Sequence, residues 1–146
     1  MAMKGKMHSY PVLIIEDHAI TTSLITELLR GNDIPYLFAG EHADAKLMYR
    51  SCASRLAFIA LDGNLHKHST IYPDTAPLAE MIRDDKTFKG TVFAMSGVID
   101  HNHIIKKIIG NRCEIIPPDR WDAIKHETIK EIVSRIEKMR HHATHH

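Results

Sequence analysis

Cysteine is almost missing: Cys52 and Cys113 are the only two in 146 residues. They form no CxxC pair and cannot make a disulfide framework, so a reducing cytoplasmic setting is the expectation. Long apolar runs are missing too. No stretch approaches the ~20 residues that cross a bilayer, and the first ten residues lack the apolar centre of a secretion signal. A membrane role is therefore not expected. An excess of one charge is also absent, with 19 Lys+Arg against 18 Asp+Glu and a net charge of +1. That removes the basic footprint of a nucleic-acid binder. What remains is ordinary for a globular chain, 44% hydrophobic and 25% charged. A domain of this length buries roughly 68–70% of its unfolded surface and needs no staple.

The first apolar run, Tyr10-Pro11-Val12-Leu13-Ile14-Ile15, is short, β-branched and does not alternate. Such a run suits a strand buried on both faces, as in a parallel sheet. Ile20, Leu24, Ile25, Leu28 and Leu29 then recur at helical spacing, with Gly31-Asn32 as the stop. Further strands are read at Tyr36-Leu37-Phe38-Ala39, Leu56-Ala57-Phe58-Ile59-Ala60-Leu61, Thr91-Val92-Phe93-Ala94-Met95 and Glu114-Ile115-Ile116. Helices are read over residues 42–54 with Ala43, Leu47 and Met48 inward, over 76–86, and around Ile104, Ile105, Ile108 and Ile109. A last helix starts near Asp119 and presents Trp121, Ile124, Thr128, Ile132 and Ile136 on one face. Residues 63–77 read as irregular. Five strand–helix alternations predict an α/β fold, a doubly wound five-stranded parallel sheet with helices on both faces.

Ligands in such folds sit at the carboxyl ends of the strands. Those ends carry Glu16 and Asp17 after the first strand, Asp62 after the third and Ser96 after the fourth. Carboxylates gathered on one sheet edge repel one another unless a cation lies between them, and hard oxygen donors suit Mg²⁺. A carboxylate beside Mg²⁺ can attack phosphorus, and a hydroxyl such as that of Ser96 can hydrogen-bond a phosphoryl oxygen. Any one acid after a strand is most simply a helix cap or a solvated loop residue; the set reads as a site.

In order and spacing these residues resemble the receiver domain of two-component response regulators, over about residues 9–138. Residues 139–146 are left as a histidine-rich tail. Val12-Leu13-Ile14-Ile15-Glu16-Asp17-His18 is similar to that family's first strand and acidic pair, Leu61-Asp62-Gly63-Asn64-Leu65 to its phosphoacceptor segment, and Ala94-Met95-Ser96-Gly97 to its switch hydroxyl. The resemblance implies a flavodoxin-like (βα)5 fold. It also implies Mg²⁺ held by Glu16, Asp17, Asp62 and the backbone carbonyl of Asn64, with phosphorylation of Asp62. The donor would be a sensor histidine kinase or a phosphotransfer protein, and the output a downstream target protein. A homodimer is allowed by analogy.

The chain departs from the family in several places. The family's lysine before the final-strand proline is replaced in Pro117-Pro118, and a cis bond between these two is expected. Proline gives neither charge nor donor, so a weakened conformational readout follows. Glu114 stands where the family has an inward-swinging aromatic, and His66 where it has proline. These departures favour a second reading, a pseudo-receiver acting as a phosphorylation-independent interaction module. A metabolic phosphohydrolase is not expected, because Asn64 occupies the place of its second acid; slow self-dephosphorylation would not make the chain one. The pairs His66/His68 and His101/His103 read as solvated loop residues rather than metal ligands. His18 reads equally as a site wall or a surface cap. Cys52 and Cys113 read as small buried hydrophobes, and Lys106-Lys107 as the solvated edge of a helix.

Overall fold

The computed structural model describes residues 11–17, 26–27, 29–65, 72–116, 134 and 138. In chain order these form β1 (Val12–Ile15), β2 (Tyr36–Ala39), α1 (His42–Cys52), β3 (Phe58–Leu61), α2 (Ala76–Asp84), β4 (Thr91–Ala94), α3 (Ile99–Ile109) and β5 (Cys113–Ile115). The strands make one parallel sheet in the order β2-β1-β3-β4-β5. This is the doubly wound arrangement the alternating pattern predicts.

Successive side chains of a strand point to opposite faces, and here both faces are covered. Leu13, Ile15, Ile59, Leu61, Val92 and Ala94 join one cluster with Ala45, Tyr49 and Cys52 of α1, Leu78 and Ile82 of α2, and Ile105 of α3. Val12, Ile14, Phe58, Ala60 and Phe93 face the other side with Leu29 and Ile34. Every residue of β1, β3 and β4 is buried, which is why these strands show no polar alternation. Truncating one such Leu or Ile to Ala would cost about 2–5 kcal/mol. Among the described residues no helix is long and apolar enough to cross a membrane.

Local chemistry moves several boundaries from their sequence positions. The first helix ends at Gly31 and turns at Asn32, as expected, but the left-handed residue that closes it is Asp33 rather than a glycine. Asp33 takes the left-handed conformation (φ 55°), Ile34 N–H reaches back to Leu29 O at 2.9 Å, and Asp33 N–H to Arg30 O at 3.1 Å. This is a Schellman closure, sealed by Leu29 and Ile34 in the same apolar cluster. In α1 the buried stripe is Ala45, Tyr49 and Cys52, while Leu47 is 67% exposed and Ala43 is exposed. Tyr49 wins the inward position because its ring packs edge-on against Phe88 and its hydroxyl donates to Asp85 Oδ2 at 2.7 Å. Cys52 and Cys113 are free and buried, as read from the sequence. Lys106 and Lys107 are exposed, and the Lys106 ammonium donates to Cys113 O at 2.6 Å.

The largest correction concerns α3. It begins at Ile99, and His101 lies in its first turn, fully buried, rather than in a solvated loop; His103 is on the same helix and exposed. The buried stripe runs His101, Asn102, Ile105, Ile109. Its polar beginning interrupts the apolar periodicity and hides the helix start. Gly110, at φ 88°, closes the helix where expected.

Candidate functional site

The acids arrive at one edge because the ladder continues one residue past each strand. Glu16 N–H donates to Ala39 O at 3.1 Å, and Asp62 N–H donates to Ile15 O at 2.9 Å. Glu16 and Asp62 thereby end the adjacent strands β1 and β3, at the point where the strand order reverses. Both are buried, at 3% and 8% exposure, while Asp17 is exposed. One ligand oxygen from each of Glu16, Asp17 and Asp62 lies within 4.8 Å of the others.

Crowding shows in the protonation of Asp62. Burial pushes its carboxyl above the ordinary carboxylate range, and the charge of Asp17 adds to this. A hydrogen bond shared with Glu16 and the N–H groups of Gly63 and Asn64 oppose the rise; the Gly63 bond measures 2.8 Å. Such a cluster is relieved by a proton or by a cation. An all-oxygen donor set with two buried members fits a hard divalent cation such as Mg²⁺. Asn64 is half-buried two residues beyond Asp62, in the loop whose carbonyl the resemblance adds to the ligands.

Sequence reasoning missed what holds this loop. Thr75, fully buried ahead of α2, donates from its hydroxyl to Asp62 O at 2.7 Å, and its N–H reaches Gly63 O at 3.4 Å. Asp74 accepts from Leu65 N–H at 2.8 Å and lies 3.5 Å from His42 Nε2. The Asp-Thr pair before a proline-bearing helix start was the available signal.

Ser96, 2% exposed, follows β4. Asn102 of α3 brackets its backbone, with Ser96 N–H donating to Asn102 Oδ1 at 2.7 Å and Asn102 Nδ2 donating to Ser96 O at 3.0 Å. The Ser96 hydroxyl oxygen accepts Val98 N–H at 3.0 Å and lies 3.5 Å from His101 Nδ1. Glu114 is exposed on β5. His18, His66, His68, Trp121 and the Pro117–Pro118 pair with its expected cis bond lie outside the described residues.

No protein-family model and no curated protein matches the chain. Solved structures do. The chain is similar to the signal receiver domain of a DNA-binding response regulator (merR) from Colwellia psychrerythraea 34H. That match has a TM-score of 0.64 and 21% identity over 84% of this chain and 97% of that one. It is also similar to the Mn²⁺-bound form of the response regulator Rcp1, with a TM-score of 0.53 and 19% identity over 73% and 78% of the two chains. The fold is that of response regulator receiver domains.

Proposed function

We propose that this chain is a two-component receiver whose Asp62 accepts a phosphoryl group from a phosphohistidine of a sensor kinase or phosphotransfer protein. A carboxylate oxygen of Asp62 forms the new P–O bond as the P–N bond to the imidazole breaks. The departing nitrogen keeps the electron pair and can take a proton from water. The observation that supports this is the meeting of Glu16, Asp17 and Asp62 within 4.8 Å at the switch point of the sheet. Bound at those acids and the Asn64 carbonyl, Mg²⁺ would supply positive charge against the incoming phosphoryl oxygens. The chain's own groups do the rest: Gly63 and Asn64 N–H hold the Asp62 carboxylate, and Thr75 fixes the loop that carries it. On this reading the protein works in the cytoplasm and is a phosphoacceptor rather than a metabolic enzyme.

The readout is weakened. A phosphoryl group brings about two negative charges, and Pro117 offers neither the ammonium nor the hydrogen bond that receivers place there. Glu114, exposed on β5, gives one observation for the second reading, an interaction module that works without phosphate. Acetyl phosphate with Mg²⁺ separates the two. A Mg²⁺-dependent gain of one phosphoryl mass, localised to Asp62, supports the receiver; an unmodified chain supports the module.

A further inference from the structure

Gly63 follows the phosphoacceptor directly, and it has no side chain for a steric reason. A Cβ there would lie 2.5 Å from His101 Cβ and 2.6 Å from His101 Nδ1. The imidazole fills the space against the Gly63 backbone, so the first turn of α3 is pressed onto the phosphoacceptor loop. The same ring reaches Ser96, with Nδ1 3.5 Å from the hydroxyl oxygen, a long hydrogen bond by ordinary standards. One fully buried side chain thus touches both the loop of Asp62 and the hydroxyl at the end of β4. Burying a polar ring in a core is costly unless its polar atoms are used. The Ser96 backbone is pinned by two bonds to Asn102, so the hydroxyl would change partners by side-chain rotation rather than by backbone movement.

We propose that His101 is a positioning residue for Ser96, and that it couples the Ser96 hydroxyl to the first turn of α3. This rests on the receiver reading of Asp62. When the hydroxyl leaves the imidazole and Val98 N–H for a phosphoryl oxygen, the contacts that tie it to this turn are lost. Val98 and Ile99, exposed at 37% and 63%, lie at the start of the same helix, where a change at Ser96 would be felt first. The response is therefore local, confined to residues 96–102, and does not need the lysine that Pro117 replaces.

The test uses the full chain with Mg²⁺ and beryllofluoride, following backbone amides by NMR, with the Asp62 amide reporting binding. The unsubstituted protein should show shifts at Asp62, Ser96 and residues 98–102. In His101→Phe, which keeps ring volume without nitrogen, the response of 98–102 relative to Asp62 should fall at least twofold. His101→Gln, which keeps a hydrogen-bonding group, should restore it. Ser96→Ala should reproduce the loss with His101 in place, which keeps the proposal testable if His101→Phe does not fold. A wild-type response in His101→Phe or in Ser96→Ala overturns the coupling while leaving the receiver intact. Absence of any shift at Asp62 in the unsubstituted protein overturns the receiver reading, and this inference with it.

Discussion

Between β1 and β3 the carboxyl edge of the sheet gathers acids, with Glu16 and Asp62 buried side by side and Asp17 exposed next to them. Between β4 and β5 the same edge holds neutral hydrogen bonds, from Ser96 to Asn102, Val98 and His101. The first region stores repulsion, which a proton or cation relieves. The second is already satisfied, since among the described residues no buried side-chain polar atom lacks a partner. A ligand shifts two states only by its differential affinity for them. Charge chemistry at the acid cluster can therefore be strong while its transmission beyond residues 96–102 stays small.

The sharpest break of this comparison is Asp62→Asn. The amide is a poor nucleophile, so Mg²⁺ and acetyl phosphate should leave the variant's mass unchanged. A phosphoryl group on it would place the chemistry elsewhere. Next is Gly63→Ala, which drives a methyl into His101 and ties the two regions by strain. Overpacking of this kind costs about 1–3 kcal/mol, read as a lowered denaturation midpoint. Combining it with His101→Gly, which removes the Cβ that the methyl meets at 2.5 Å, should recover part of that loss, as coupled neighbours do. Glu16→Gln acts on the acid cluster alone. It should weaken Mg²⁺ binding by about tenfold, equal to ~1.4 kcal/mol, seen as a shifted titration of the Asp17 and Asp62 amides. Unchanged affinity would remove Glu16 from the ligand set. The smallest effect is expected at Glu114→Gln, an exposed change worth less than about 0.5 kcal/mol. It should leave phosphorylation as it was; a changed level would mean that β5 feels the acid cluster.

The acid cluster was legible in the sequence because its parts sit at strand ends, and strand ends follow from short apolar runs. Val12 to Ile15 and Phe58 to Leu61 pair in register, and the residues after them must meet. The neutral region was not legible in the same way. His101 and Asn102 are buried by their position on α3, while their polarity suggests solvent. Tyr49 displaced Leu47 from the core because a distant partner, Asp85, took its hydroxyl. Asp33 could end a helix because the short acidic side chains tolerate left-handed backbone, a role the sequence suggested for glycine. Each of these depends on a contact made across the fold, which local periodicity does not record.

Among the described residues the order of the strands also leaves β2 and β5 as the two borders of the sheet, and they are guarded unequally against self-association. β5 is three residues long and carries the exposed charge of Glu114 at its centre, a short and charged border that discourages another chain from adding a strand. β2 is four residues long and has Phe38 at 41% exposure, with no charge of its own. Unwanted sheet extension, when concentration or partial unfolding brings two copies together, will therefore start at β2. Phe38→Lys would blunt that border and raise the concentration at which the protein stays dispersed. The exposed charge of Glu114 acts at β5 against the strand addition that Phe38 invites at β2.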